Sequence, residues 1–111
     1  MSDLASKQCV PCKGDVPPLE GAALDALLAE LGNGWQVVRN HHLEKEFRFP
    51  DFESALAFTN RIGALAEEQA HHPDIHLAWA RVRIEIWTHK IDGLTESDFV
   101  WAAKAERLAA L

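Results

Sequence analysis

The histidines are the residues of this chain whose type and spacing favour chemistry. The chain has 111 residues and six histidines, three of which lie in EEQAHHPDIHLAW at residues 67–79. His71 and His72 are adjacent, Pro73 follows them, and His89 lies further along the chain. Because imidazole titrates near neutral pH, a histidine can donate and accept protons under the same conditions. These side chains could transfer protons, bind a metal ion or simply face solvent.

An HExxH-type metal site places its ligands on one continuous helix, and a structural zinc site built from CxxC motifs needs two such pairs. Glu67 and His71 have helical spacing, but a proline soon interrupts the segment, and the two adjacent histidines point in different directions. The motif CVPC, with Cys9 and Cys12, lacks the second pair that completes a structural zinc site. We therefore rank metal binding behind proton transfer and expect two reduced thiols in an N-terminal tail.

Proton transfer fits the expected surroundings of His71 and His89. His71 should lie at the C-terminus of a helix, where the partial negative charge of the last carbonyls stabilises an imidazolium. Glu67, one turn earlier on the same face, would add a negative charge and hold the ring. His89 should end a strand that a hairpin brings near this junction, and two converging histidines would form a general acid/base pair. A histidine at a helix end is also often a plain surface group, which is the interpretation that suits His41, His42 and His76.

Apolar residues at three- and four-residue steps predict the three helices that position these side chains. The first lies within PPLEGAALDALLAELGNG, residues 17–34. The second begins after Asp51 as its N-cap and ends at or just before His71, because a proline follows. The third begins at TESD, where Thr95 and Asp98 have the spacing of a capping box.

Alternating polar and apolar residues predict four strands in two hairpins: 35–38 with 43–49, and 74–79 with 82–87. Ala80 and Arg81 would be the turn of the second hairpin. The element order α-β-β-α-β-β-α predicts an α+β two-layer sandwich, with three helices on one face of a four-stranded antiparallel sheet. Residues 1–17 are expected to be an irregular tail, and residues 18–111 a single domain.

Composition limits the partners. Seventeen acidic against eleven basic residues give a net charge of -6, which disfavours nucleic-acid binding. No membrane-length apolar run and no signal-peptide pattern is present, so a cytoplasmic protein is expected. Exposed sheet edges predict a homodimer or homotetramer, with Trp87 as a participant in the interface. The competing account is a monomer whose edges are blunted by Lys45, Arg48, Arg83 and Glu85.

The spacing of the candidate residues resembles the signature of the pterin-4a-carbinolamine dehydratases. Glu67, His71-His72-Pro73, Trp79, His89 and Asp98 follow the pattern E-x3-H-H-P-x5-aromatic-x9-H-x8-D. The segments THKIDGL and EFRFPDFESALAF also resemble stretches of this family. The similarity covers residues 19–111, nearly the whole expected domain.

The resemblance implies a cofactor-free dehydratase. Its substrate would be the 4a-hydroxytetrahydropterin that aromatic amino acid hydroxylases leave behind, and loss of water would give quinonoid dihydropterin. Such an enzyme recycles the hydroxylase cofactor and is functionally coupled to the hydroxylase. The implied catalytic residues are His71, His72 and His89, with His72 mainly binding the ring and Asp98 and Glu67 orienting the histidines. The implied pterin-binding residues are Glu67, His71, His72, Pro73, Thr88, His89, Lys90 and Ile91.

Other functions stay open beside the enzyme. Many family members have tryptophan two residues after the proline, whereas this chain has Ile75. Animal relatives also act as dimerisation cofactors of a homeodomain transcription factor, and relatives form dimers or tetramers, so a binding protein is one alternative. A metal-binding accessory protein that uses His71, His72 and Cys9/Cys12 is another. The sequence names neither the pterin side chain nor a partner hydroxylase.

Overall fold

The computed structural model describes residues 4–7 and 17–110. The elements of these residues follow the predicted order: α1 Ala22–Leu31, β1 Gln36–Val38, β2 His42–Arg48, α2 Phe52–Gln69, β3 Asp74–Ala78, β4 Arg81–Ile86 and α3 Glu96–Ala109, with short 3-10 helices at Leu4–Ser6 and His89–Ile91. The strands form an antiparallel sheet in the order β1-β2-β4-β3. The predicted α+β fold is confirmed. None of the described helices has the length and apolar character needed to cross a bilayer.

The core lies between the helices and the inner face of the sheet. Leu43 of β2 opposes Ile86 of β4, and Phe47 opposes Val82, so the apolar residues of neighbouring strands share one face. Large, fully buried residues of the helices pack on this face: Phe58, Ile62, Phe99 and Trp101. The other face carries charged side chains: Glu44, Glu46, Arg48, Arg81, Arg83 and Glu85. The sheet therefore has one apolar and one polar face, as its alternation predicts.

The strand order corrects one sequence-based expectation. Because the two hairpins join through β2 and β4, the edges of the sheet are β1 and β3. The charged residues expected to blunt the edges, Lys45, Arg48, Arg83 and Glu85, all lie on the two central strands. These four charges therefore do not protect the edges of the sheet against pairing with another chain.

Lys45 lies on the inner side of β2, as its alternation with Phe47 predicts. Its Nζ forms an ion pair with Oε1 of Glu106 in α3, and the indole Nε1 of Trp35 donates to the same oxygen at 2.9 Å. The ammonium also lies 4.6 Å from the centre of the Phe47 ring. These contacts satisfy a partly buried charge and join α3 to the sheet.

The hairpin between β3 and β4 turns one residue earlier than predicted. Ala78 pairs with Arg81, so the turn consists of Trp79 and Ala80 rather than Ala80 and Arg81. Arg81 is held in the ladder from both sides, since it also pairs with Arg48 of β2. The neighbouring strand therefore extends β4 beyond what its own sequence indicates.

The polar segment after β1 reverses the chain, as expected, but it is shorter than predicted. The N–H of His41 donates to the carbonyl of Val38 at 2.9 Å. Arg39 and Asn40 between them both have φ of 55°, as in the turns that suit a tight hairpin. His42 is not part of the turn and is the first residue of β2. Its side chain therefore lies on the sheet.

The helix α2 ends two residues before His71. Ala70 has φ 52° and ψ 41°, in the left-handed region, and acts as the C-cap. The N–H of His71 donates to the carbonyl of Ala66 at 3.1 Å, which closes the reversed turn typical of helix ends. His71 therefore lies beyond the helix, and its direction is set by the cap.

The predicted N-terminal tail is only partly described. Cys9 and Cys12 lie outside the described residues. The described part is not irregular throughout, since Leu4–Ser6 forms a 3-10 helix and Leu4 is fully buried. The carbonyl of Ala5 accepts a hydrogen bond from Nζ of Lys104 in α3 at 2.9 Å, so this piece of the tail packs on α3.

Candidate active site

His71 is held by a buried carboxylate. Asp98, in the first turn of α3, is 0% exposed, and its Oδ1 lies 2.5 Å from Nε2 of His71. A carboxylate only accepts hydrogen bonds, so Nε2 of His71 carries the hydrogen and donates it. The other ring nitrogen, Nδ1, remains for a second partner. The contact fixes the orientation of an imidazole that is itself only 15% exposed at its side chain.

The second oxygen of Asp98 connects His71 to the segment that contains His89. Its Oδ2 accepts from Oγ1 of Thr88 at 2.9 Å and from the backbone N–H of Thr95 at 2.8 Å. The buried charge of Asp98 is thus compensated by three hydrogen bonds. The predicted capping role of Asp98 toward Thr95 is confirmed. The same carboxylate brings the segment after β4 to the end of α2.

Thr88 is engaged inside the protein rather than open to a ligand. Its hydroxyl bonds Asp98 and also lies 3.0 Å from Oγ1 of Thr95. Its N–H donates to the carbonyl of Gly93 at 2.8 Å, and the residue is 4% exposed. These contacts join Thr88 to the start of α3 and to the end of its own loop.

The expected pairing of Glu67 with His71 is wrong. Oε2 of Glu67 lies 2.5 Å from Nε2 of His72 instead. The left-handed turn at Ala70 moves His71 off the helix, so positions 67 and 71 no longer share a helix face. The Glu67 and His72 side chains are 79% and 57% exposed, and an exposed pair of this kind contributes about 0–1 kcal/mol.

His89 belongs to an aromatic cluster that sequence analysis did not predict. It is the first residue of a 3-10 helix rather than the end of a strand, and its ring centre lies 4.6 Å from that of Trp87. The rings of His41 and His42 also contact Trp87, at 5.0 and 5.9 Å. Nε2 of His41 lies 2.7 Å from Oδ1 of Asp92, which fixes the ring over the loop after His89.

His41 and His42 were expected to be plain surface groups in a turn. Leu43 pairs with Ile86, so the residue before Leu43 lies opposite Trp87. The two histidines directly precede a segment with clear strand alternation, which could have indicated that His42 belongs to the strand. Its contact with Trp87 could be predicted only with the knowledge that β2 pairs with β4.

The other predicted binding residues adjoin these histidines. Pro73 is half-buried directly after His72, and in the 3-10 helix Lys90 is exposed and Ile91 half-buried. Trp79, by contrast, lies in the turn at the far end of β3 and is 68% exposed. Asp98 therefore joins His71 to Thr88, and the other predicted binding residues follow these two in the sequence.

A shared metal site at His71 and His72 is not favoured by this geometry, since each ring is engaged with a different carboxylate. Within residues 4–7 and 17–110, one group of three such side chains has ligand atoms close enough to share an ion. It consists of His42, Glu44 and Glu85, on the polar face of the sheet.

Comparison with known proteins places this geometry in context. The family model for pterin 4 alpha carbinolamine dehydratase matches residues 17–108. A Rubrobacter xylanophilus protein provisionally named pterin-4-alpha-carbinolamine dehydratase is 62% identical over 108 residues, which cover 97% of this chain and 100% of that protein. A protein of Rickettsia canadensis with the same provisional name is 54% identical over 106 residues, covering 96% and 97%.

Two solved structures share the fold. The crystal structure of a transcriptional coactivator/pterin dehydratase from Brucella melitensis has a TM-score of 0.77 and 32% identity, covering 83% of this chain and 98% of that one. A pterin dehydratase-like protein identified as a RuBisCO assembly factor in the alpha-carboxysome has a TM-score of 0.61 and 26% identity, covering 71% and 93%.

Proposed function

The chain belongs to the pterin 4a-carbinolamine dehydratase family, and on this premise we propose that it removes water from a 4a-hydroxytetrahydropterin. The product is a quinonoid dihydropterin, which returns the cofactor of an aromatic amino acid hydroxylase to its cycle. The observation that carries the proposal is the contact of 2.5 Å between His71 and the buried Asp98, because it prepares one imidazole for proton transfer.

The reaction consists of bond changes that proton transfer alone can promote. The bond between C4a and the hydroxyl oxygen breaks, and the hydroxyl must receive a proton to leave as water. A proton departs from a ring N–H, and its electron pair forms the new C=N bond. The hydroxyl takes up one proton and the ring nitrogen loses one, so water leaves without any net transfer of electrons. The reaction therefore needs no electron donor. Histidine supplies both kinds of transfer near neutral pH.

His71 acts through Nδ1 in this scheme. Its Nε2–H is donated to Asp98, which leaves Nδ1 to hold the proton that the hydroxyl takes. The carboxylate stabilises the imidazolium and fixes the ring plane, as a buried acid does for the histidine of a catalytic triad. Asp98 is thus a positioning residue for His71.

His89 is the second proton-transfer group, and His72 mainly binds the pterin. His89, the first residue of the 3-10 helix, is exposed and packs against the Trp87 ring. A substrate can therefore reach it from the solvent side. Glu67 holds His72 through its Nε2. The segments beside them, Pro73 and Lys90–Ile91, line the pterin, and Thr88 positions His89.

The test is a stopped-flow measurement with 4a-carbinolamine generated in place by a hydroxylase. The protein is first freed of metal by chelation, because the proposed chemistry uses imidazole and water alone. Acceleration of dehydration over the spontaneous rate supports the enzyme. A folded preparation that gives no acceleration overturns it and favours a binding protein, a role suggested by the names of the two structural relatives. Activity lost on chelation and restored by zinc favours the metal-dependent alternative.

A further inference from the structure

A second cluster of ionisable side chains lies on the polar face of the sheet. His42 and Glu44 are two residues apart on β2, and Glu85 of β4 is the direct partner of Glu44. Strand alternation puts all three on the face opposite the core. One ligand atom from each lies within 4.8 Å of the others. The side chains of His42, Glu44 and Glu85 are only 16%, 33% and 19% exposed, so the cluster is largely shielded by its neighbours.

The charges of this cluster are poorly balanced. Glu44 and Glu85 are directly opposed like charges, which destabilise a sheet. Asp74 pairs with Glu85 from the other side, so carboxylates occupy one row across three strands. Arg83 and His76 approach Glu85, at 3.4 and 3.6 Å. A cation between Glu44 and Glu85 would remove the repulsion.

The hydrogen bonds of His41 define the state of His42. Nε2 of His41 faces the acceptor Oδ1 of Asp92 at 2.7 Å, so it carries a hydrogen. Nδ1 of His41 lies 3.1 Å from Nδ1 of His42. When both rings are neutral, His41 accepts in this contact and His42 donates. Nε2 of His42 is then left with a lone pair.

Nε2 of His42 faces the carboxylates. Nε2 of His42 is buried and forms no hydrogen bond within the described residues, although Oε1 of Glu44 lies 3.5 Å away. When the ring is neutral, this nitrogen and the carboxylate oxygen are both hydrogen-bond acceptors, and neither can donate to the other. Metal-bound histidines show the same arrangement, with one nitrogen donating to a neighbour and the other free for the ion.

We propose that His42, Glu44 and Glu85 bind a divalent transition-metal ion of the zinc class. One imidazole nitrogen with two carboxylate oxygens is a ligand set that zinc accepts, whereas magnesium and calcium prefer oxygen alone. His41 and Asp92 orient the imidazole from behind. The site lies on the sheet face that bears no helix and does not depend on the dehydratase chemistry.

Calorimetric titration of zinc into the chelator-treated full chain tests the proposal. The chain carries Cys9→Ser and Cys12→Ser so that thiolates do not compete. We expect one zinc ion per chain, with binding weakened about tenfold or more by His42→Gln and by Glu85→Gln. Glu46→Gln is the matched control, since Glu46 follows on the same strand face and its carboxylate pairs with Arg48 at 2.6 Å. It should leave zinc affinity unchanged.

Thermal unfolding with and without zinc provides the second measurement. Glu85→Gln removes both the opposition to Glu44 and the contacts with Arg83 and His76, so each protein is compared with its own melting temperature without zinc. Zinc should raise the melting temperature of the parent and leave that of the variant unchanged, because only the folded parent binds the ion. Zinc binding that persists in both ligand variants, that is lost instead in His71→Ala, or that is absent from the parent overturns the proposal.

Discussion

The carboxylate of Asp98 both holds His71 and caps α3 at Thr95. Removing its charge is therefore the most informative substitution. Asp98→Asn keeps the shape and part of the cap but presents an amide to His71, so the ring loses its negative partner and its fixed tautomer. We expect kcat to fall about 10²-fold or more with a smaller effect on KM. Stopped-flow rates over a range of pH check this, since a merely structural role would leave the shape of the pH profile unchanged.

Asp51→Asn is the control for that change, because Asp51 is also a carboxylate at a helix N-terminus and asparagine caps as well as aspartate. Equal losses of activity in the two variants would show that Asp98 acts through helix stability alone.

His71 and His89 should contribute separately to the rate. His71→Ala and His89→Ala should each reduce turnover about 10²-fold, because water and the remaining histidine replace the lost group only in part. The double variant should be far slower than either. His76→Ala on the exposed side of β3 is the control. Full activity in the double variant would contradict the assignment.

At the residue scale, spacing was sufficient to select His71 and Asp98, which the structure joins, while the role of His89 beside them stays a prediction. Spacing could not predict which acid binds which histidine, because Glu67 and His71 have helical spacing but no helix connects them. A single left-handed alanine decides that pairing, and alanine is not a signal for this conformation.

Among the elements, the end of α2 carries strain that can be relieved. Ala70 has φ of 52°, a conformation that costs an alanine about 1–2 kcal/mol and glycine nearly nothing. Glycine loses more freedom on folding, which offsets part of this gain, so Ala70→Gly should stabilise the protein by about 0.5–1 kcal/mol. Urea unfolding checks this. Ala64→Gly, inside the same helix, should instead destabilise by about 1 kcal/mol.

The start of α2 should give a stability that depends on acidity. The pKa of Asp51 lies below its usual 3.8, chiefly because its carboxylate accepts a hydrogen bond from the Ser54 N–H at 2.8 Å. The stabilisation that this hydrogen bond gives the folded protein is fully present above pH 3.8, the usual pKa of the group. It is lost as the pH falls through the lower pKa of Asp51 in the folded state. Melting temperatures between about pH 5 and pH 2 should therefore fall more steeply in the parent than in Asp51→Asn. Parallel curves would contradict this.

The order of elements was predictable because each helix and strand has its own periodicity. The strand order was not, since no local pattern states which strands of two hairpins become neighbours. The turn at Trp79 differs from prediction for that reason, since Arg48 of β2 pairs with Arg81 and extends β4. The start of β2 at His42 instead reflects the pairing of His42 with Val38 inside the first hairpin. The contact of His41 and His42 with Trp87 follows from the pairing of β2 with β4.

At the scale of the whole molecule, the open edges of the sheet favour assembly. β3 is an edge strand of five residues. Trp87, the expected interface residue, packs on three imidazole rings, whereas Trp79 beside β3 is 68% exposed. We expect a closed homodimer or larger assembly through this edge, detectable by light scattering at micromolar concentration. A mass near the 12.4 kDa of one chain would contradict it.

The four tryptophans give the molecule an internal optical label. The chain has no tyrosine, so indole alone dominates its near-ultraviolet emission. Trp35 and Trp101 are 4% and 0% exposed and emit from the core, while Trp79 emits from water. Trp87 stands apart, because its ring touches the imidazoles of His41, His42 and His89. Its emission therefore responds to any change in the packing of these three histidines.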